Sequence, residues 1–398
     1  MQLSAEIKQE TADRIKATQV ERESTREHML SGDLISINKP DRVEKRKNRF
    51  LGYKDFAATL GHKVLNELTR YSVNEAPFEA QKAFERAIKG NDSLPACYLS
   101  DGARIRRTVG RIHIYQRERR VSWGTGFLVG PGLLLTNQHV LDSLDTARVS
   151  RVEFDYEEDN TGSIPPTAVF NFEPDIFFMS SPAKDGFDYA LVAVSPNARP
   201  DSSKGNVLLS DYGYNLLYED LGKLLKGEAI NAIHHPEGQP RRISIRENRL
   251  TAIDAPALKE SWIHYETDTE EGSSGSPLFN DQWEVVGIQH AGVEARNAQG
   301  EILAIGGIPW ERSMGEKAKL WDANEGLRIS RFLFDVQRRV KAVRENMEGR
   351  PEEDIVSNEG FALFDQMIKR TKPAGNTNLE NKPSQPKRPE KDKSSYPE

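Results

Sequence analysis

Residues 272 to 277 read Gly272-Ser273-Ser274-Gly275-Ser276-Pro277, inside the longer run Thr269-Glu-Glu-Gly-Ser-Ser-Gly-Ser-Pro-Leu278. Small residues around Ser274 let the backbone turn tightly and leave room for a carbonyl carbon to approach. The amides of Gly272 and Ser274 can then converge on one oxyanion. The pattern suits an acyl-transfer nucleophile. Linkers and surface turns use the same residues, so the reading requires a base and an orienting acid elsewhere in the chain.

Both are present upstream. The segment Gly124-Thr-Gly-Phe-Leu-Val-Gly-Pro-Gly-Leu-Leu-Leu-Thr136-Asn-Gln-His139 reads as a β-hairpin whose apolar arms bracket Gly130-Pro131-Gly132, a strong turn signal. His139 sits just beyond the second arm. An imidazole can take a serine proton and return it to a leaving amine. Further on, Phe187-Asp188-Tyr-Ala-Leu-Val-Ala-Val194 places a carboxylate at the mouth of an apolar run that reads as a buried strand. A buried aspartate needs hydrogen-bond donors, and a histidine N–H is one.

The order is therefore His139, Asp188, Ser274. An α/β-hydrolase elbow requires Gly-x-Ser-x-Gly and the order serine, acid, histidine. Here Ser276 stands where the last glycine would be, and the nucleophile comes last. On these three motifs, together with Val286-Gly-Ile-Gln-His-Ala-Gly292, the chain resembles trypsin-like serine peptidases of bacterial type, nearest the branch that includes glutamyl endopeptidases. The resemblance covers roughly residues 95 to 335. It implies two six-stranded antiparallel β-barrels of chymotrypsin-like form, with Ser274 as nucleophile, His139 as general base and acid, and Asp188 as orienting carboxylate. Gly272 and Ser274 would supply the oxyanion-hole amides. Digestive enzymes carry an aspartate before the nucleophile to pair with a freshly cut N-terminus. This chain has Ser273 there, so that activation is not expected.

The resemblance also points to the substrate pocket. Asp268, six residues before the nucleophile, falls at the pocket base, where a carboxylate favours lysine or arginine. The glutamyl branch instead uses a threonine, which Thr269 matches, and a histidine on the flanking strand. Counting from Gly287, that position is Gln289, with His290 one residue later. A one-residue shift on a strand turns the side chain to the other face, so His290 is expected on the Asp188 side. Asp268, Thr269, Gln289 and His290 are the substrate-binding candidates, with a lean toward cleavage after basic residues.

No His-Glu-x-x-His, paired Cys-x-x-Cys, phosphate loop or dinucleotide fingerprint occurs in the 398 residues. The adjacent His234 and His235 point to opposite faces of a strand and cannot readily share a metal. Neither metal nor cofactor is expected, because the triad carries its own acid–base chemistry. Net charge is −6, from 55 Lys+Arg against 61 Asp+Glu, which argues against a broad nucleic-acid surface. The basic strip Arg42-Val-Glu-Lys-Arg-Lys-Asn-Arg49 is read as a solvated face. One cysteine, Cys97, forms no internal disulfide. No membrane-length apolar run and no secretory h-region are visible, so a cytoplasmic setting is expected.

The chain divides into four parts. Residues 1–92 are charged and read as helical, with Phe56, Leu60, Val64, Leu68 and Tyr71 at helical spacing and a further helix from Pro77 to Gly90. In the first 50 residues Leu3, Ile7 and Ile15 give only a thin apolar stripe, equally consistent with disorder and with a docked helix. Residues 93–335 form the peptidase domain, with strands at Val109 to Tyr115, Val152 to Tyr156, Ala229 to Ile233, Arg242 to Ile245 and Glu284 to Gln289. Residues 336–370 read as C-terminal helices. Residues 371–398, proline-rich and charged, read as a disordered tail.

The function expected is a serine endopeptidase acting on a protein or peptide substrate. Two alternatives stand beside it. One is a peptidase-like binding or scaffold module with little turnover. The other is a latent effector protease held in check by its N-terminal region, where a regulatory partner would act.

Overall fold

In the computed structural model, the residues described are 4–90, 93–117, 119–245, 248–266, 273–297, 299–315 and 318–369. Asp268, Thr269, Gly272 and the tail beyond residue 369 lie outside them.

The Gly130-Pro131-Gly132 turn joins two antiparallel strands of the first sheet. Proline presets φ at one corner, and Gly132 at φ +84 takes the left-handed position that a side chain would resist. The two arms are β2 (Arg119–Gly130) and β3 (Leu133–Thr136), preceded by β1 (Val109–Gln116). The sheet is completed by β4 (Arg151–Phe154), β5 (Ala168–Asn171), β6 (Phe177–Ser181) and β7 (Tyr189–Ala193). The second sheet holds β8 (Asn231–His234), β9 (Arg242–Ser244), β10 (Leu250–Ala252), β11 (Trp262–Tyr265), β12 (Pro277–Phe279), β13 (Val285–Glu294) and β14 (Trp321–Arg328).

Both sheets are antiparallel; with β15 (Ile355–Val356) included, their orders are β15-β6-β7-β3-β2-β1-β4-β5 and β10-β11-β14-β13-β12-β8-β9. The expectation of a mainly β chain with two such sheets holds. The strand count is larger than six each, partly because β15 (Ile355–Val356), from the C-terminal segment, adds to the β6 edge of the first sheet.

Alternation along the strands builds three cores. In β3, Leu134 enters the interior of the first sheet with Ile112, Leu128 and Val192. Leu133 and Leu135 face the other way, into a core shared with Phe279, Val285 and Ile288 of the second sheet. Ala232, Leu250, Ile263 and Leu278 fill the second sheet's own interior. Strands buried on both faces read as continuous apolar runs, and each such side chain contributes about 1.5–3 kcal/mol. The shared core is where the two sheets meet, and the loops that carry His139, Asp188 and Ser274 end there.

Helices cover the outside. At the N-terminus they are α1 (Ala5–Ala17), α2 (Gln19–Ser31), α3 (Pro40–Gly52), α4 (Lys54–Ala57), α5 (His62–Arg70) and α6 (Phe78–Gly90). The single helix suggested by Phe56 to Tyr71 is broken at Gly61, which adopts φ +75. Phe56, Leu60 and Leu68 still share one small core with Phe50 and Phe84. A later helix, Ile329–Arg344, buries Phe332, Leu333, Val336 and Val340 in the shared core.

The basic strip on α3 is not a solvated face. Arg42 pairs with Asp254, Arg46 with Glu228 and Arg49 with Glu284, and Arg46 is 1% exposed. Carboxylates of the second sheet and its loops draw the guanidinium groups inward, where bidentate pairing offsets their desolvation.

Candidate active site

His139 is delivered by a turn immediately after β3, closed by hydrogen bonds from the Val140 and Leu141 amides to the Asn137 carbonyl at 3.2 and 3.3 Å. Asn137 Nδ2 also donates to the Asp188 carbonyl at 2.8 Å. This joins the β3 end to the start of β7. Asp188 itself adopts φ +49, a left-handed conformation that aspartate tolerates better than most residues. Such strain persists where the surroundings fix the residue. Its neighbour Tyr189 is pinned from outside, the phenol donating to Asp335 at 2.7 Å.

The Asp188 carboxylate is fully buried and accepts three hydrogen bonds. The His139 amide reaches Oδ1 at 3.0 Å, His139 Nδ1 reaches Oδ2 at 2.8 Å, and His290 Nδ1 reaches Oδ2 at 2.6 Å. Burial alone would raise its pKa, but the His139 and His290 imidazoles overcome that and hold it below the ordinary aspartate value. With Nδ1 engaged, His139 has Nε2 free to exchange a proton with a hydroxyl.

His290, one of the substrate-binding candidates but expected on the Asp188 side, lies on that side. It is 1% exposed, and its second ring nitrogen lies 3.3 Å from Thr11 Oγ1. The ligand atoms of His139, Asp188 and His290 all lie within 4.8 Å of one another, a spacing that can hold a cation. The same atoms are satisfied by the hydrogen bonds just described.

Ser274 enters from the second sheet on the turn Ser273–Ser276, where the Ser276 amide returns to the Ser273 carbonyl at 3.1 Å. Gly275 is indispensable to that turn. It sits at φ +84, and a Cβ there would collide with the Thr125 carbonyl and the Thr136 hydroxyl. The turn is tied to both sheets: the Thr125 amide on β2 donates to the Ser274 carbonyl at 3.0 Å, and the Gly275 amide donates to the Gln289 carbonyl at 3.2 Å. Thr125 is the hub, because its carbonyl also accepts from Thr136 Oγ1 at 2.7 Å and its hydroxyl from the His235 amide at 3.1 Å.

Ser273 has a partner that sequence reasoning did not find. Its hydroxyl lies 2.6 Å from His234 Nδ1, and the other nitrogen of that ring lies 3.1 Å from Ser244 Oγ. Burial pushes His234 down to about 4, so the ring is neutral at pH 7. The adjacent His235 bonds instead to the Gln239 carbonyl at 3.0 Å, as two neighbouring strand residues on opposite faces must. Gln289 is 4% exposed, its Nε2 lies 3.5 Å from Asn324 Oδ1, and its Oε1 has no hydrogen-bond partner among the described residues.

No helix among the described residues is long and apolar enough to cross a membrane. The chain is 37% identical over 274 residues to "Uncharacterized protein y4fB" of Sinorhizobium fredii (strain NBRC 101917 / NGR234), covering 65% of this chain and 40% of that protein. It thus spans about two fifths of the length of that relative. Among solved structures, a serine-to-alanine mutant of Rv3671c from M. tuberculosis H37Rv, in its inactive form, aligns at 14% identity and TM-score 0.35, covering 59% of this chain and 88% of that one. The two antiparallel sheets are of chymotrypsin-like form, and residues 124–288 match the family model of the trypsin-like peptidase domain.

Proposed function

We propose that the chain is a serine endopeptidase in which Ser274 attacks the peptide carbonyl and His139 takes and returns the proton. Asp188 stabilises the resulting imidazolium, and the amides of Gly272 and Ser274 bind the oxyanion. One observation carries the reading: a buried, ionised Asp188 holds both the amide and Nδ1 of His139, while the Ser274 turn is tied by hydrogen bonds to the sheet that carries that histidine. Held at both its amide and Nδ1, the His139 ring is oriented for proton transfer at Nε2.

Within that reading, Asp268 and the unpaired Oε1 of Gln289 favour a side chain that brings donors. Cleavage after lysine or arginine follows, and a peptide-library digest reads the preference directly. The mechanism itself is tested with a p-nitrophenyl ester. A burst of one nitrophenolate per protein molecule is expected, absent from Ser274→Ala. A wild-type protein with no burst and no slow turnover argues for a binding module instead.

A further inference from the structure

Helix α1 docks on the second sheet with polar groups, and they converge behind Asp188. Thr11 is fully buried, its hydroxyl lying 3.3 Å from His290 Nε2 and 3.0 Å from the Ile7 carbonyl. Arg14 donates to Thr11 Oγ1 at 3.2 Å and grips the fully buried Glu325 through both carboxylate oxygens at 2.8 and 2.7 Å. Glu325 in turn meets His264 Nε2 at 3.0 Å, and its second oxygen lies 3.7 Å from His290 Nε2. The charged and titratable groups around the His290 ring are thus Asp188, His139, Glu325, Arg14 and His264. Trp262 packs against the ring at 4.9 Å between centroids.

We propose that α1 is a positioning element for the triad: Thr11 fixes the His290 ring, and His290 fixes the Asp188 carboxylate. This rests on the reading of His139, Asp188 and Ser274 given above. The partner at one imidazole nitrogen determines whether the other is a donor and how the ring is oriented. For a neutral His290 to give its Nδ1 hydrogen to Asp188, Nε2 must accept one, and the Thr11 hydroxyl supplies it by turning its single hydrogen from the Ile7 carbonyl toward Nε2. The apolar contribution of α1 is small: Ile15 forms a small cluster with Val293 and Ala323, against which Ala12 packs. Its directed contacts fall instead on groups one hydrogen bond from Asp188. An α1 in this role supports activity, which is the opposite of an inhibitory arm.

The test uses the full chain as wild type, Thr11→Val, Thr11→Ser and Ser274→Ala. It records the low-field imidazole N–H proton resonances, the rate of fluorophosphonate labelling and the circular dichroism spectrum. Thr11→Val keeps the shape and removes the hydroxyl. It is expected to shift the low-field resonances of the Asp188-bound rings and to slow labelling about fivefold, the scale of one neutral hydrogen bond. Thr11→Ser restores both. Unchanged resonances in a folded Thr11→Val protein overturn the proposal, as does faster labelling, which marks an inhibitory arm. Should Thr11→Val not fold, Thr11→Ala gives the same comparison. The resonances need no turnover, so a wild type that resists labelling counts against the nucleophile alone, while the resonances still decide on Thr11.

Discussion

His290 Nδ1 stands 2.6 Å from Asp188 Oδ2, and the same oxygen takes His139 Nδ1 at 2.8 Å. One buried carboxylate oxygen thus serves two imidazoles. An amide at this position presents one oxygen and two hydrogens, so one ring must turn or change tautomer. Asp188→Asn is therefore expected to lower kcat by about four orders of magnitude while leaving KM nearly unchanged, as loss of a triad aspartate does. Steady-state kinetics on a peptide substrate measure it.

Gly275→Ala places a methyl group against the Thr125 carbonyl and the Thr136 hydroxyl in a left-handed conformation. The conformational cost and the overpacking together predict a loss of at least about 2 kcal/mol of stability. Chemical denaturation gives the stability, and an ester assay shows whether the folded fraction retains a burst.

Arg14 neutralises Glu325, which burial would raise and which the Arg14 and His264 groups bring down to about 2. Arg14→Met leaves a buried carboxylate short of its main partner and is expected to cost about 3 kcal/mol at pH 7. The Glu325 contribution is present above the ordinary glutamate pKa and is lost as the pH falls toward 2. The penalty of Arg14→Met therefore shrinks on acidification, which thermal melts of both proteins between pH 7 and pH 3 check.

His234 is neutral in the fold because burial pushes it down to about 4, against an unfolded value near 6.5. A depressed value means that stability is full above about 6.5 and falls by about 1.4 kcal/mol per pH unit between about 6.5 and 4. His234→Gln removes that slope and loosens the anchor on Ser273. Melts of the two proteins across this window isolate the histidine, and a fall in kcat at pH 7 reports on the adjacent Ser274 turn.

Much of this was legible in the sequence, and for a physical reason. The Gly-Pro-Gly turn, the apolar arms around it and the small residues flanking Ser274 are each dictated locally, so strands β1, β2, β3, β7 and β13 fall close to where alternation and turn chemistry put them. The one-residue offset of His290 from the pocket position was likewise readable, because strand faces alternate. The N-terminal docking was not. Ile7 and Ile15 form a thin stripe, yet α1 and α2 are held by Thr11, Arg14, Thr18, Arg22 and Thr25, polar residues at helical spacing that meet His290, Glu325, His264, Asp322 and the Thr251 carbonyl. A search for apolar periodicity passes over a helix that docks by hydrogen bonds and ion pairs. Arg42, Arg46 and Arg49 misled for the same reason, since their partners lie more than 150 residues further along the chain and leave no local mark. The His234 anchor on Ser273 joins two segments that no short motif connects.

The proposed function makes Ser274 a nucleophile activated by His139. Its most direct measurement is fluorophosphonate labelling of the full chain, read by intact mass and by peptide mapping, beside Ser274→Ala and His139→Ala. One adduct per molecule is expected, mapped to Ser274, absent from Ser274→Ala and slowed by orders of magnitude in His139→Ala. An adduct that survives Ser274→Ala, or a wild-type protein that takes up none, would contradict it.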